Sequence, residues 1–83
     1  MKKYLVDIYL PAANKHYDAY LPGGKRIGEA TQLLINIAET LSGGEYKGTM
    51  DSVMLNAMNG DPYDRNLTVY DAGIRNASKL ILI

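Results

Sequence analysis

The stretch Val69-Tyr-Asp-Ala-Gly-Ile-Arg-Asn-Ala-Ser-Lys-Leu-Ile-Leu-Ile83 decides the fold of this chain. It begins with a turn that carries apolar Val69 and Ile74 and has Gly73 as its flexible point. A polar spacer separates this turn from Lys79–Ile83, which alternates as a strand does. The two faces of the predicted strand carry Leu80 with Leu82 and Ile81 with Ile83.

Two alternating runs near the N-terminus predict a β-hairpin. The first run covers Tyr4–Leu10 and the second covers His16–Leu21. The intervening Pro11–Lys15 is a turn, because Pro and Asn interrupt strand pairing. The inner face is predicted to carry Val6, Ile8, Leu10, Tyr17, Ala19 and Leu21, and the outer face of the first strand Leu5, Asp7 and Tyr9.

The segment from about Arg26 to Ser42 predicts a helix. Its apolar residues recur at steps of three and four, which places them in one stripe on a helix of 3.6 residues per turn. Glu29 lies in the first turn, where the helix dipole favours an acid, and Gly43-Gly44 supplies the left-handed residue that ends helices. The predicted buried stripe consists of Ile27, Ala30, Leu34, Ile37, Ala38 and Leu41, and Leu33 widens it.

A third strand is predicted over Ser52–Met58, after a polar loop over Glu45–Ser52. Burying the amide of Asn56 without a partner would cost on the order of 1–3 kcal/mol, so we place Asn56 on the outer face. Asn59–Pro62 predicts a turn, and Tyr63 is a candidate for a very short edge strand. Placing Asn56 on the outer face puts Met54 and Met58 outside with it, and Val53, Leu55 and Ala57 inside.

Composition excludes several classes of function. The nine basic and nine acidic residues give a formal net charge of zero, which argues against nucleic acid or an anionic membrane as the main partner. The absence of cysteine excludes a disulfide and a Cys-ligated metal, and a single histidine argues against a His-built metal site. No apolar run approaches the roughly 20 residues that span a bilayer, and Asp7 interrupts the N-terminal run of a would-be signal peptide. We therefore expect a cytoplasmic protein with no metal, no cofactor and no membrane insertion.

The element order β-β-α-β-(β)-β resembles the ubiquitin-like β-grasp. That fold is α+β, with one helix packed across a mixed sheet of four to five strands. The resemblance covers nearly the whole chain and implies a single ubiquitin-like domain over residues 1–83. It rests on the hairpin that ends in Leu21-Pro22, the helix that closes at Gly43-Gly44, and the ending Val69…Asp71-Ala-Gly-Ile74…Leu80-x-Leu82.

Within that superfamily, the chain is most similar to the YukD-type proteins, which are accessory proteins of type VII (ESX/Yuk-type) secretion in Gram-positive bacteria. The similarity rests on overall length, a terminus flush with the last strand, and the turn Asp71-x-Gly-Ile74. It implies a free-standing cytoplasmic protein that helps to assemble or regulate a secretion machine. The sequence as given has no Gly-Gly tail after the last strand, so we expect non-covalent binding rather than conjugation.

The outer face of the predicted sheet is the leading candidate for a binding surface. The resemblance places the last strand centrally, so outward side chains of neighbouring strands would form an apolar patch large enough to act as a docking surface. Methionine adapts to varied partners, and this sheet face is a common docking surface in ubiquitin-like proteins. The occupant is expected to be a partner protein or, alternatively, a second copy of the chain. The candidate partner-binding residues are Leu5, Tyr9, Met54, Met58, Ile81 and Ile83.

Other residue groups carry weaker signals. His16 has no Ser or Cys nearby in sequence, so surface packing is favoured over acid–base chemistry. The glycine-rich run Gly23–Gly28 precedes a helix and could hold an anion, but it lacks the P-loop pattern, and a flexible turn is favoured. Three aspartates lack the spacing of a calcium loop and are interpreted as turn residues: Asp61, Asp64 and Asp71.

Three classes of function follow from these observations. The leading hypothesis is a non-enzymatic ubiquitin-like interaction module that serves type VII secretion. The alternatives are a small carrier or modifier resembling the sulfur carriers, which would need a Gly-Gly terminus, and a regulatory subunit of another complex. No constellation of nucleophile, base and orienting group is visible, so we expect no catalytic residue and no enzymatic activity.

Overall fold

The computed structural model describes residues 2–83 and contains four strands and a helix in the predicted order. The sheet order is β2-β1-β4-β3, so the closing strand lies centrally. Strand β1 pairs antiparallel with β2 and parallel with β4, and β3 pairs antiparallel with β4. No helix within residues 2–83 is both long and apolar enough to cross a bilayer. The elements are β1 (Lys3–Leu10), β2 (Lys15–Pro22), α1 (Ile27–Leu41), β3 (Met54–Asn56) and β4 (Lys79–Leu82).

The hairpin confirms the predicted alternation. Strand β1 buries every second residue, and β2 pairs with it along its full length, from Lys3 opposite Pro22 to Leu10 opposite Lys15. The inner face of β2 is less covered, because Tyr17 and Ala19 are only half-buried. The fully covered side chains of the hairpin are Tyr4, Val6, Ile8, Leu10 and Leu21.

The buried stripe of the helix is rotated from the predicted one and shares four residues with it: Ile27, Ala30, Leu34 and Ala38. Ile37 and Leu41 were expected in the core, yet they are 41% and 50% exposed. Ile35 and Thr31 are buried instead, and the hydroxyl of Thr31 donates to the carbonyl of Ile27 at 2.7 Å, which satisfies a polar group in the core. Apolar residues occur on more than one face of α1, so the contact with the sheet selects the buried stripe. That stripe consists of Ile27, Ala30, Thr31, Leu34, Ile35 and Ala38.

Strand β3 has the opposite orientation from the predicted one. Met54 is 2% exposed, because it lies opposite the buried Leu82 in the register with β4. Leu55 lies opposite Ile81 and therefore faces outward. The Oδ1 atom of Asn56 accepts a hydrogen bond from the amide of Met58 at 2.9 Å, so the predicted cost of an unpaired amide does not arise.

The strand is also shorter than predicted. Ala57 and Met58 lie in the turn that follows β3 and are exposed. The predicted edge strand at Tyr63 is reduced to one isolated bridge between Pro62 and Leu55, next to a hydrogen bond from the amide of Tyr63 to the carbonyl of Met54 at 3.2 Å. Three residues of β3 pair with β4, and the amide of Ala57 still donates to the carbonyl of Lys79 at 3.1 Å after the strand ends.

The closing stretch completes the core as predicted. Val69 and Ile74 are buried on either side of a turn in which Gly73 adopts a φ of 88°, a conformation that side chains with a Cβ rarely adopt. The predicted polar loop contributes one unexpected core residue, Tyr46, which is 2% exposed. Its hydroxyl group donates to the Oγ atom of Ser52 at 3.3 Å, so the phenol is satisfied inside the core.

Candidate docking surface on the outer sheet face

An apolar row crosses the outer face of three strands. The register sets Tyr9 of β1 beside Ile81 of β4, and Ile81 beside Leu55 of β3. All three side chains are half-buried, and neighbouring strands lie about 4.8 Å apart, so these side chains lie side by side across the sheet. We call Tyr9, Ile81 and Leu55 the apolar row.

Further apolar side chains flank the apolar row. Ile83 is 51% exposed just beyond β4, and its amide donates to the carbonyl of Val53 at 3.1 Å, which extends the sheet by one residue. Leu5 is 38% exposed on β1 and lies opposite Tyr20 of β2. Ile83 thus extends the apolar surface on one side of the apolar row, whereas Leu5 is separated from the row by Asp7 on the same face of β1.

A charged row lies next to the apolar row. Asp7 of β1 is set between Asp18 of β2 and Lys79 of β4 by the strand registers. His16 donates from its Nδ1 atom to Asp7 at 3.1 Å, and its ring lies 4.6 Å from the ring of Tyr9. We call Asp18, Asp7 and Lys79 the charged row; it adds polar recognition groups to an otherwise apolar face.

The six predicted partner-binding residues have different placements. Leu5, Tyr9, Ile81 and Ile83 lie on the outer face, as predicted. Met54 is wrongly placed in the prediction, because its side chain is buried under the sheet. Met58 is 90% exposed but lies in the turn after β3 rather than on a strand. The sequence prediction missed Leu55, since the pairing of β3 with β4 is not visible in the pattern of β3 alone.

The helix N-terminus offers few free donors for an anion. The amide of Ile27 donates to the carbonyl of Leu67 at 2.8 Å, and the amide of Gly28 donates to the carbonyl of Arg65 at 3.1 Å. The guanidinium of Arg26 donates to the carbonyl of Asn66. These contacts engage the groups that an anion would need, so the strand-to-helix turn has a structural role.

Within residues 2–83, no group of three or more His, Asp or Glu side chains is placed to hold a metal ion. Burial raises the pKa of Tyr63 above its ordinary value of 10.0, so this phenol stays protonated at neutral pH. The chemistry available on the outer face is recognition through apolar contacts and hydrogen bonds.

Comparison with known proteins identifies the fold. No protein-family model and no curated protein matches the chain. Among solved structures, the EccD5 ubiquitin-like domain from Mycobacterium xenopi matches with a TM-score of 0.82 and 13% identity, over 100% of this chain and 94% of that one. The fold is the ubiquitin-like β-grasp.

Two further matches share this β-grasp architecture. The ubiquitin-like domain of the Mycobacterium tuberculosis type VII secretion system protein EccD1 matches with a TM-score of 0.66 and 17% identity, over 100% of this chain and 99% of that one. A chain of the MycP5-free ESX-5 inner membrane complex matches with a TM-score of 0.83 and 10% identity, over 100% of this chain and 21% of that one. These likenesses confirm the predicted α+β class, with its helix packed on a mixed four-stranded sheet.

Proposed function

We propose that residues 1–83 form one non-enzymatic ubiquitin-like domain that serves a type VII secretion system through protein contacts in the cytoplasm. Similarity to ubiquitin-like domains of EccD5 and EccD1, and to a chain of an ESX-5 inner membrane complex, supports this proposal. The β-grasp fold supports many functions, so the fold alone does not assign one. We propose the secretion role because these similar structures come from secretion systems, and the binding role because apolar side chains are exposed on the outer sheet face. An accessory protein of the YukD type in a Gram-positive bacterium is the form that the sequence resemblance favours.

The apolar row is the observation that carries the proposal. Tyr9 supplies a rigid ring with a polar tip, which is the kind of side chain that dominates binding energy in interfaces. Ile81 lies at the centre of the row, between Tyr9 and Leu55, so a partner covering the row must cover Ile81. We therefore assign docking to Leu5, Tyr9, Leu55, Ile81 and Ile83, with the exposed Met58 at the margin.

The test is affinity capture from a detergent-solubilised whole-cell lysate of the source organism, followed by mass spectrometry. Wild-type protein should retain components of the secretion membrane complex, and Ile81→Asp should lose them by at least about tenfold, since an aspartate would have to be desolvated in the interface. Met50→Asp is the matched control, because Met50 is fully exposed in a loop outside the sheet. Circular dichroism of each variant establishes that all three proteins are folded.

Different failures would contradict different parts of the proposal. Equal capture of secretion components by Ile81→Asp and wild type would exclude the outer face as the docking surface. If the wild type captured other proteins but no secretion components, and Ile81→Asp lost them, the secretion role would be excluded and the assignment of the docking surface would still hold. Self-association of the wild type in analytical ultracentrifugation, abolished by Ile81→Asp, would show that a second copy occupies the face.

A further inference from the structure

Two cationic side chains meet around one aromatic ring at the end of the sheet where β1 begins. The Nζ atom of Lys2 lies 5.7 Å from the centre of the Tyr4 ring, and the Cζ atom of Arg75 lies 5.6 Å from the same centre. The Cζ atom of Arg75 also lies 3.7 Å from the centre of the Tyr70 ring, which is a close stacking distance. We call Lys2, Tyr70 and Arg75 the basic cluster.

The backbone of Gly23 brings the basic cluster together. The amide of Gly23 donates to the carbonyl of Lys2 at 2.8 Å, and its carbonyl accepts from the amide of Tyr70 at 3.0 Å. A Cβ atom at this position would lie 2.9 Å from Cε2 of Tyr4 and 3.3 Å from the carbonyl oxygen of Lys2, so the close approach favours glycine. The segment that follows β2 therefore joins the start of β1 to the closing turn.

The guanidinium of Arg75 has a fixed orientation although the side chain is exposed. Its Nη1 atom donates to the carbonyl of Tyr70 at 2.9 Å and to the carbonyl of Ile74 at 2.8 Å, and the ring of Tyr70 supports its plane. Within residues 2–83, its Nε and Nη2 atoms have no hydrogen-bond partner. These two atoms form the edge of a guanidinium that matches both oxygens of a carboxylate. Because the edge is already oriented, binding a carboxylate there costs less side-chain freedom.

Both charges of the basic cluster are free of ion pairs within residues 2–83. The ion pairs in this part of the chain lie elsewhere, and neither Lys2 nor Arg75 takes part in one. Asp71 follows Tyr70 directly in sequence, yet its carboxylate lies within ion-pair distance of neither cation. The two positive charges are therefore available to a partner, and complementarity of charge calls for acidic groups.

The ring of Tyr70 adds an apolar contact beside these charges. Tyr70 is 53% exposed even though the guanidinium covers part of its ring. An exposed tyrosine ring combines apolar area with a polar tip, which suits protein interfaces. Nucleic acid and anionic membranes fit less well, because their affinity grows with the number of charges neutralised and the formal net charge of the chain is zero.

We propose that the basic cluster binds an acidic segment of a partner protein. One carboxylate of the segment accepts hydrogen bonds from Nε and Nη2 of Arg75, and a second carboxylate lies against the ammonium group of Lys2. An apolar side chain next to these carboxylates packs on the exposed part of the Tyr70 ring. None of these three residues belongs to the apolar row, so the site depends neither on the docking surface of the outer face nor on the secretion role.

The test titrates a short blocked peptide of glutamates around a central leucine into the protein, followed by NMR of the backbone amides and of the Arg75 Nε–H group. A counterpart peptide replaces every glutamate with glutamine and keeps the same length. We expect the glutamate peptide to shift the Nε–H signal of Arg75 and the amide signals of Gly23 and Tyr70. The glutamine peptide should bind more weakly by on the order of tenfold, because it loses the charge-assisted hydrogen bonds. Replacing the leucine with glycine should weaken binding several-fold, because it removes the contact with Tyr70.

Variants of the protein separate the shape of the guanidinium from its charge. Arg75→Lys keeps the charge but removes the two-donor edge and the stacked plane, so it should weaken the glutamate peptide by on the order of tenfold. Lys2→Gln should weaken it less, and this variant removes no side-chain hydrogen bond that supports the fold. Arg65→Lys and Lys47→Gln are the matched controls, since they make the same changes at exposed residues outside the basic cluster. Both controls should leave the dissociation constant unchanged, and circular dichroism establishes that each variant is folded.

Several results would overturn the proposal. Equal affinity of the glutamate and glutamine peptides would exclude recognition of charge, and unchanged affinity in folded Arg75→Lys would limit Arg75 to bracing the closing turn. Shifts centred on Leu55 and Ile81 would move the peptide to the apolar row, and no shifts at millimolar peptide would exclude the site. Tighter binding of oligothymidylate or of phosphatidylglycerol vesicles than of the glutamate peptide would assign the cluster to nucleic acid or to a membrane instead of a protein segment.

Discussion

At the scale of single residues, Met54 shows how a neighbouring strand outweighs local pattern. The sequence argument turned on the amide of Asn56, which is satisfied locally by the amide of Met58. Once that cost is removed, the pairing of Met54 with the buried Leu82 decides which face of β3 points inward. The outer-face role expected of Met54 belongs to Leu55 instead.

The two methionines of this region should differ in their effect on stability. Met54→Ala should lower the free energy of unfolding by about 2–5 kcal/mol, because it leaves a cavity under the sheet. Met58→Ala should change it by less than about 0.5 kcal/mol, since Met58 is 90% exposed. Urea denaturation of both variants measures the difference, and similar losses for the two would contradict the observed orientation of β3.

At the scale of elements, the packing of α1 on the sheet and the register of the hairpin decide which side chains are exposed. The buried stripe of α1 is rotated from the predicted one, and this rotation exposes Ile37 and Leu41 beside the open edge of β2. The hairpin places Asp7 and Asp18 directly opposite each other. Like charges directly opposite each other weaken a hairpin, and the neighbours of Asp7 that counter this effect are His16 and Lys79.

Removing one of these charges should stabilise the hairpin. Asp18→Asn should raise the free energy of unfolding by roughly 0.2–1 kcal/mol at low ionic strength, because it removes the repulsion between the two carboxylates. The gain should shrink in high salt, which screens exposed charges. Urea denaturation at two salt concentrations provides the measurement, with Asp51→Asn in an exposed loop as the control. A loss of stability in Asp18→Asn would indicate that Asp18 has a favourable partner.

At the scale of the whole molecule, the sheet joins the two ends of the chain. Strand β4 lies between β1 and β3, and its inward side chains Leu80 and Leu82 are 1% and 0% exposed. Strand β3 has β4 as its sheet neighbour, so it depends on residues that come more than twenty positions later in the sequence. The fold therefore forms only when the closing strand is in place.

Truncation should reveal this dependence. A chain that ends at Ser78 lacks β4 and should remain unfolded, because it loses two buried leucines and the pairing that holds β3 in the sheet. A chain that ends at Leu82 lacks only the exposed Ile83 and should fold. Amide NMR dispersion and circular dichroism distinguish the two states, and a folded chain ending at Ser78 would contradict the central role of β4.

The sequence by itself determined the strands of the hairpin, the extent of the helix, the closing turn at Gly73 and the two faces of β4. Each of these depends on a local pattern: a period of two, a period of 3.6, or a residue that tolerates positive φ. The outward placement of Leu5 and Tyr9 followed from the alternation within β1, whose other face is wholly apolar. Both faces of β4 are apolar, so the outward placement of Ile81 and Ile83 depended on the resemblance to the ubiquitin-like fold.

Only the tertiary structure decided which side of β3 and which stripe of α1 are buried. Both elements have apolar residues on more than one face, so their local patterns do not by themselves choose the buried face. Contacts with β4 and with the sheet choose between them, and these contacts join residues far apart in the chain. The place of Leu55 in the apolar row and the exposure of Ile37 beside β2 both follow from that choice.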